Sequence, residues 1–282
     1  MKYAWVAVLT LCVMASGAWA QSGLLTARSL GMGGASIAIA DDAAAWLQNP
    51  AGLACLNVPA KEGNRWGSDA MATYLRFDPT AQGTVPAPEW EASAGTWSAW
   101  QPEKTWGIGA GVAYVPNEGT SYGAGIGNNL GQGAWSWGVN FLTSLPQVGA
   151  SETLTNLGLL YRAPRFRLGV VGEDVLGRTQ DGPLWNAGFA APLSRTISLA
   201  VDVVDVTGKT LDGARFSGGI EWSFLSCRNL VLRGGLIDTS QASSSDHELT
   251  VGAGYKFNRC RVDVGWANIE DGMWSVSSGF NF

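Results

Sequence analysis

Three residues of the types that build a nucleophilic triad lie together in one stretch, SSSDHE. They are Ser244, Asp246 and His247, the single histidine of the chain. A working triad needs these groups to converge in space beside an oxyanion hole, and a polar loop supplies neither. The cysteines and the histidine also lack the spacing of metal ligands. We therefore expect no enzymatic activity, no bound metal and no cofactor.

Glycine-rich stretches are a second candidate for chemistry. GIGAGVAYV (107–115) and YGAGIGNNLG (122–131) are similar to loops that cradle phosphates. A phosphate loop joins a strand to a helix, and no helical pattern follows either stretch. Glycine in a barrel strand more simply makes room for a plug or a bend, so a structural role is predicted.

Alternation of apolar and polar side chains dominates the chain from about residue 71 onward. In ARFSGGIEWSFL (214–225), Phe216 and Trp222 share one face, while Arg215 and Glu221 share the other. A face that flips at every residue has the period of a β-strand. Fourteen such segments are predicted, at about 71–77, 89–100, 105–116, 120–131, 133–145, 153–164, 166–177, 184–194, 196–207, 214–225, 229–240, 247–257, 260–271 and 273–282.

The connectors differ between the two ends of the predicted strands. Those after even-numbered strands are tight: 101–104, 163–165, 193–195, 226–229 and 258–260. Those after odd-numbered strands tend to be longer and more polar: 78–88, 178–183, 208–213 and 239–246. Outer-membrane barrels have short periplasmic turns and longer outer loops, so this asymmetry favours a barrel.

Composition indicates the same fold class. Charged residues make up only 15% of the chain, which has 38 glycines and 14 tryptophans. No long apolar run that could form a membrane helix follows the N-terminal one, and a closed barrel is the other structure that satisfies its backbone in a bilayer. We therefore predict an all-β fold, a transmembrane antiparallel β-barrel of about fourteen strands in the outer membrane of a Gram-negative type envelope. A soluble all-β protein is the alternative.

Aromatic residues fit a barrel surrounded by outer-membrane lipid. Tryptophan and tyrosine concentrate where strands meet lipid headgroups. The tryptophans at or near predicted strand ends are Trp90, Trp100, Trp106, Trp135, Trp185, Trp222, Trp266 and Trp274. The chain stops on Phe282, and a terminal aromatic on an alternating strand resembles the recognition signal of bacterial outer-membrane barrels.

If the apolar faces contact lipid, the opposite faces line the lumen. The charged residues predicted there are Glu91, Arg167, Glu173, Asp202, Arg215, Glu221, Arg233, Glu248, Lys256, Arg261 and Asp263. Such charges can pair across neighbouring strands and hold the wall together, or they can line the path of a permeating molecule. The net charge of −5 argues against nucleic acid as a partner.

The stretch ADDAAAWLQNPAGLA (40–54) predicts one short helix before the strands. Asp41 or Asp42 can cap its first turn and suits the helix dipole. Pro50 removes a donor and forces Asn49 out of helical geometry, so the helix ends there. Gly52 would let the chain turn away. The preceding ASIAIA (35–40) could form a short strand.

The N-terminal region divides into a leader and a hatch. Lys2, the apolar run that follows it and Ala18-Trp19-Ala20 together have the pattern of a secretory signal peptide. We predict three segments: a signal peptide at 1–20, a luminal hatch at 21–70 and the barrel at 71–282.

ARSLGMGGASIAIADDAAAWLQNPAGLA (27–54) resembles the N-terminal signature of the FadL superfamily of outer-membrane proteins. The matching hatch positions are Arg28, Gly33, Gly34, Asp41, Asp42, Asn49, Pro50 and Gly52. The phrases RLGVVGEDVLG (167–177) and LAVDVVDVTG (199–208) look more like the PorV/PorQ branch of that superfamily. The resemblance implies a fourteen-stranded barrel with its N-terminal segment folded inside as a hatch.

The resemblance implies two rival functions. FadL-type members carry hydrophobic molecules such as long-chain fatty acids across the outer membrane, which makes a small hydrophobic molecule the expected substrate. PorV-like members are adaptors or shuttles for surface-secreted proteins, which makes a secretion partner the alternative. The predicted outer loops are short, so the long loops of a fatty-acid capture groove are missing.

Three cysteines remain after removal of the leader: Cys55, Cys227 and Cys260. The periplasm is oxidising, so a disulfide between two of them is conceivable. Cys227 and Cys260 fall in two turns on one rim, with Cys55 as a competing partner.

Overall fold

The computed structural model describes residues 26–56, 67–77, 90–101, 106–115, 119–131, 133–147, 149–178, 182–209, 213–224, 229–238, 247–268 and 272–281. The predicted signal peptide, Ser244, Asp246 and Phe282 lie outside these residues. The predicted boundaries at residues 20 and 70 therefore stay predictions.

Fourteen β-strands follow one another along the chain, which confirms the predicted number. They are β1 (Gly67–Phe77), β2 (Trp90–Gln101), β3 (Trp106–Val115), β4 (Gly119–Leu130), β5 (Trp135–Pro146), β6 (Glu152–Arg162), β7 (Arg167–Glu173), β8 (Leu184–Pro192), β9 (Ile197–Val204), β10 (Arg215–Ser223), β11 (Leu230–Asp238), β12 (His247–Phe257), β13 (Cys260–Ala267) and β14 (Met273–Asn281). β7 and β9 end earlier than predicted because Asp174 and Asp205 take left-handed backbone conformations, with φ of 47° and 53°.

Each strand pairs antiparallel with its sequence neighbours, and β14 pairs with β1 to close the barrel. Closure leaves no free edge with unpaired backbone groups. Gly67 at the start of β1 and Asn281 at the end of β14 lie at one end of the barrel, here called the turn end. The connectors after even-numbered strands are at this end, and the opposite end is the loop end. The predicted all-β antiparallel barrel is confirmed.

The outer surface of the barrel is apolar. Phe216 of β10, Leu236 of β11 and Phe257 of β12 are each at least half exposed on the outward face. Their strand neighbours Glu221 and Arg233 lie on the inward face. Alternation therefore places apolar groups outside and polar groups inside, as lipid-facing strands require.

Three short helical segments precede the barrel: α1 (Ala27–Gly31), α2 (Ala45–Gln48) and the 3₁₀ helix η1 (Pro50–Cys55). The sequence did not indicate α1, because five residues are too few to display a helical period. Thr26 caps α1, and its hydroxyl accepts a hydrogen bond from the Ser29 amide. No helix in the described part of the chain is long and apolar enough to cross a membrane.

The predicted start of the helix at 40–54 is wrong. α2 begins only at Ala45, and Ala44 at its N-cap makes no side-chain capping bond. Asp42 forms a turn before it: Oδ1 accepts from the Ala44 amide at 3.0 Å, and its carbonyl accepts from the Ala45 amide at 2.9 Å. The predicted end is confirmed, because Asn49 is extended with φ of −159°.

Two further local expectations also fail. Residues 35–40, predicted as a possible short strand, contain turns and irregular backbone instead. Gly52 does not turn the chain but lies inside η1, where a Cβ would overlap the Ala40 carbonyl oxygen. Glycine is thus required there by a close approach between two parts of the hatch.

Candidate functional site

The N-terminal segment 26–56, hereafter the hatch, lies inside the barrel. α1 packs on β11–β14, whereas η1 packs on β2–β6 across the lumen. Leu30, Trp46 and Leu53 are at most 1% exposed, although the segment contains little hydrophobic core of its own. The wall therefore supplies the surroundings that bury the hatch.

Inward-facing glycines on β3–β8 and β10–β13 contact the hatch backbone. They are Gly107, Gly127, Gly138, Gly158, Gly169, Gly188, Gly219, Gly235, Gly252 and Gly265, here called the glycine belt. Gly109, Gly111 and Gly123 contact hatch side chains, mainly that of Trp46. A Cβ on Gly219 would lie 2.6 Å from the Met32 carbonyl oxygen, and one on Gly265 would lie 2.6 Å from that of Ala27. Side chains at these positions would push the hatch off the wall.

Gly33 is a hatch residue whose backbone lies equally close to the wall. It has φ of 69°, and a Cβ there would overlap the carbonyl oxygens of Gly218 and Leu236. Its amide donates to the Thr250 hydroxyl at 3.0 Å. Gly34 also has positive φ, at 87°. The two glycines allow the chain to leave α1 while lying against the wall.

Six charged side chains form a closed ring between hatch and wall, here called the charge ring. Arg28 and Asp42 come from the hatch, and the other four come from β10, β11 and β13. The N···O distances around the ring are Arg28–Glu221 3.3 Å, Glu221–Arg233 2.8 Å, Arg233–Asp263 2.8 Å, Asp263–Arg261 2.7 Å, Arg261–Asp42 3.1 Å and Asp42–Arg28 3.6 Å. Signs alternate throughout, so every charge has an opposite charge on both sides.

Asp41 extends the charge ring to a further strand. It contacts Arg28 at 2.7 Å and Arg167 of β7 at 3.1 Å. Burial alone would raise the pKa of Asp41, but the charges of Arg28 and Arg167 outweigh burial and lower the pKa of that carboxyl. Burial likewise opposes the charged form of Arg28, yet Glu221, Asp41 and Asp42 together hold its pKa well above the ordinary value. Both groups are charged when the hatch is seated.

The other predicted lumen residues stand in different surroundings. Asp202 accepts hydrogen bonds from the Ser36 and Ile37 amides at 2.6 and 2.9 Å, so it also holds the hatch. Glu173 instead accepts from Asn186 at 2.6 Å, away from the charge ring. Arg215 and Glu248 lie half-buried on inward faces, and Lys256 lines the cavity described below.

Glu91, the remaining predicted lumen residue, pairs with Arg76 of β1 in the backbone register. Its side chain lies outside the described part of the structure, so its predicted place in the lumen stays a prediction.

The second half of the hatch touches the wall through uncharged groups. Asn140 of β5 donates to the Trp46 carbonyl, and Ser98 of β2 donates to the Ala43 carbonyl at 3.0 Å. Asn49 donates to the Leu159 carbonyl of β6 at 3.2 Å, and its own Oδ1 accepts from the Ala51 amide to cap η1. Pro50, the first residue of η1, has no amide hydrogen and needs no such acceptor.

A cavity of about 240 Å³ lies beside the charge ring. Its lining includes Asn229, Lys256, Asp69 and Asn281, which belong to the turn end of the barrel. Asp69 accepts a hydrogen bond from the Ala43 amide at 2.9 Å and so joins the wall to the middle of the hatch. The cavity therefore borders the charge ring on the side of the turn end.

Cys55 is a free thiol at the end of η1. Its Sγ lies 3.2 Å from the Ser136 hydroxyl of β5, and burial raises the pKa of the thiol, which argues against nucleophilic reactivity. Cys260 is also free and exposed, whereas Cys227 is outside the described residues.

Sequence reasoning missed four wall residues that hold the hatch. Ser98, Asn140, Thr250 and Asp69 occupy inward positions on their strands, and each bonds a hatch backbone group. The three uncharged residues were passed over because attention went to charged positions. Asp69 was missed because it precedes the predicted start of the first strand at about residue 71.

The described residues thus form a closed fourteen-stranded barrel with an internal hatch. No protein-family model matches the sequence, and no curated protein sequence does. Among solved structures, the chain is similar to a FadL homologue of Pseudomonas aeruginosa, with a TM-score of 0.59 and 9% identity over 93% of this chain and 99% of that one. Mutants of the Rh. blastica porin align with a TM-score of 0.48 and 10% identity over 77% of this chain and 99% of theirs. The likeness to the FadL homologue shows a shared barrel fold.

Proposed function

We propose that this protein lies in the outer membrane and lets small hydrophobic molecules, similar to fatty acids, pass when the hatch moves. The apolar outer surface and closed barrel support the location. The observation that carries the proposal is the hatch itself, which occupies the lumen through non-covalent contacts. A segment held in this way can leave its seat and return.

The resemblance of residues 27–54 to the FadL signature supports the substrate class. The hatch also brings apolar side chains into the lumen, among them Trp46, Leu47 and Leu53. Leu142 of β5 packs against this cluster. A molecule moving between hatch and wall on that side would meet apolar groups, which suits a hydrophobic cargo.

The test is uptake of labelled fatty acid into liposomes by protein whose hatch is tethered at two points. The first tether joins native Cys55 to Cys introduced by Ser136→Cys, because Sγ and the hydroxyl oxygen are 3.2 Å apart. The second combines Ala27→Cys with Ser277→Cys, where the amide and hydroxyl are 3.0 Å apart. Cys227→Ser and Cys260→Ser remove competing thiols.

In the variant with both cysteine pairs, the proposal predicts fatty-acid uptake while the cysteines are reduced. Once oxidation forms the two disulfides, uptake should fall at least tenfold. The matched control lacks Cys55 through Cys55→Ser and lacks Ala27→Cys, so oxidation forms no tether and leaves uptake unchanged. Equal uptake by empty and protein-containing liposomes would contradict the proposal.

The second candidate function is an adaptor or shuttle for secreted proteins, as in the PorV/PorQ branch. The glycine belt favours it, because close seating of the hatch backbone around the wall suits a plug that never moves. This function predicts recovery of a secretion partner with the intact protein from envelope extracts. It also predicts that the variant with both cysteine pairs takes up no fatty acid, whether its cysteines are reduced or oxidised.

A further inference from the structure

The hatch divides into two halves of different chemistry. Residues 26–42, the charged half, contain Arg28, Asp41 and Asp42, whereas residues 43–56, the uncharged half, contain no Asp, Glu, Lys or Arg. We propose, on the basis of the proposed function, that the hatch opens by moving its uncharged half away from β2–β6. The charged half stays on β7–β13 as the anchor. The gap that opens admits apolar molecules that carry one small polar group.

The charged half is an anchor because ion pairs join it to the wall. The side chains of Arg28 and Asp42 are 17% and 5% exposed, and those of their wall partners Glu221 and Arg261 are 19% and 25% exposed. Removing Arg28 and Asp42 from the charge ring would leave these partly buried wall charges without their hatch partners. Separation of such pairs costs more than loss of fully exposed ones.

Hydrogen bonds to backbone amides add to this anchor. Asp202 of β9 accepts from Ser36 and Ile37 with the same carboxylate oxygen. A bond to a charged acceptor is stronger than one between neutral groups. The charged half is thus held by carboxylates and guanidinium groups from β7, β9, β10 and β13.

Apart from the Ala43 amide, which donates to Asp69 of β1, the uncharged half is held by neutral hydrogen bonds and apolar packing. Asn140, Ser98 and Asn49 make bonds between neutral groups, which contribute less to stability than charge-assisted ones. Among the described inward positions of β2–β6, two carry charge: Arg162, which bonds Asn129 and the Gly133 carbonyl near the turn end, and Glu152, which is exposed at the loop end. This wall therefore separates from the hatch without exposing unpaired charge.

Among the described residues, three buried polar atoms on the uncharged side lack a hydrogen-bond partner. They are the indole Nε1 of Trp46, the amide Oδ1 of Asn140 and, near the turn end, Nε of Arg162. Trp46 and Asn140 are 1% and 0% exposed, and the Asn140 amide donates to the Trp46 carbonyl. An unsatisfied buried donor or acceptor weakens the seated state. A hydroxyl or carboxylic acid group of a passing molecule has both a donor and an acceptor, so it can bond to Nε1 of Trp46 or to Oδ1 of Asn140.

Apolar side chains continue the uncharged side toward the loop end. Ala92 and Ala94 of β2, with Leu142 of β5 and Leu154 of β6, lie on inward faces and are buried or nearly so. A charged wall would reject an apolar chain, because its charges would lose solvation without gaining a partner. The apolar cargo therefore follows β2–β6 and not the charge ring.

Hydrogen–deuterium exchange on the full-length protein in lipid nanodiscs tests which half moves, independently of transport. We expect peptides from residues 43–56 to exchange at least tenfold faster than those from residues 27–42. Slower or equal exchange of residues 43–56 would overturn the inference. This result stands whether or not the protein carries fatty acid.

Fatty-acid uptake by two variants, each with one of the cysteine pairs, tests which side of the hatch the cargo passes. Oxidation of the Cys55–Ser136→Cys tether should lower fatty-acid uptake at least tenfold, and oxidation of the Ala27→Cys–Ser277→Cys tether should change it less than twofold. Blockage by the second tether, with normal uptake through the first, would overturn the inference while leaving the proposed function intact. A lack of uptake by the untethered protein would remove the proposed function, and the exchange result would still decide which half moves.

The unpaired polar atoms of Trp46 and Asn140 allow a further test, which compares two cargo molecules. Asn140→Leu removes the acceptor, and we expect uptake of a fatty acid to fall several-fold relative to uptake of an alkane of the same length. Equal effects on the two molecules would overturn the role of the polar group.

Discussion

Arg28 of the hatch and Glu221 of β10 are 193 residues apart in the sequence, yet Nε of Arg28 lies 3.3 Å from Oε2 of Glu221. The same carboxylate oxygen also accepts from Nε of Arg233 at 2.8 Å. One wall carboxylate is thus shared between a hatch arginine and a wall arginine. Because of this sharing, the stability of the wall and the position of the hatch depend on each other.

Arg233→Met should destabilise the barrel more than Arg167→Met. Arg233 is 3% exposed and bonds two carboxylates, so its loss leaves Glu221 and Asp263 short of positive charge. We expect a cost of about 3–5 kcal/mol for the buried pair. Arg167 is 41% exposed and contacts Asp41, for which about 1 kcal/mol or less is expected. Heat-modifiable gel migration and urea unfolding measure the difference, and equal midpoints for the two variants would contradict the charge ring as described.

Gly235→Ala should weaken hatch seating, whereas Gly234→Ala should not. A Cβ at position 235 would lie 2.5 Å from the Gly33 amide nitrogen, while one at position 234 has Thr250 O as its nearest neighbour at 3.9 Å. Overpacking of this kind costs about 1–3 kcal/mol. Limited proteolysis of the hatch should be faster in Gly235→Ala alone. Equal proteolysis of both variants would speak against the glycine belt.

Asp41→Asn should remove a contribution to stability that is present at neutral pH. The pKa of Asp41 is lowered below its ordinary value of 3.8 in the folded protein. Such a carboxyl stabilises the fold above the unfolded pKa and loses this contribution as pH falls through the folded pKa. The free energy of unfolding should thus differ between wild type and Asp41→Asn by a constant amount from about pH 5 to 8, and the difference should shrink below about pH 4. A difference that grows on acidification would contradict the sign of the shift.

Ser136→Cys should form a disulfide with native Cys55 under mild oxidation. The two side chains already meet at 3.2 Å, so only a small adjustment is needed to reach disulfide geometry. Ser144→Cys on the same strand is the matched control, because Ser144 bonds Ser121 and not the hatch. Mass spectrometry of non-reduced peptides should find the Cys55 cross-link in the first variant. Cross-linking in the second variant instead would mean that η1 is seated elsewhere.

The barrel could be predicted from sequence because alternation repeats over fourteen strands, and each error affects one strand only. β10 shows this clearly: Phe216 and Trp222 oppose Arg215 and Glu221 in the sequence and in the structure. β2 shows the limit. Its small residues Ala, Ser and Gly carry little contrast between the two faces, so its alternation is harder to read.

The hatch could be predicted as a segment but not in its contacts. The N-terminal signature indicated a hatch and named Arg28, Asp41 and Asp42, whose partners Arg167, Glu221 and Arg261 were among the predicted lumen residues. Their pairing could not be predicted, because it depends on how a chain with little regular structure crosses the lumen. α1 was missed for the same reason: tertiary contacts with β11–β14, more than local propensity, hold its five residues in place.

The most direct test of the gated hatch uses one sample of the oxidised variant with both disulfide tethers. Fatty-acid uptake is measured in it before and after reduction. Both tethers hold the hatch on the wall, so uptake should be at background until dithiothreitol is added and should then rise at least tenfold. Uptake that is high before reduction and unchanged by it would show that cargo passes without hatch movement, which would contradict the account.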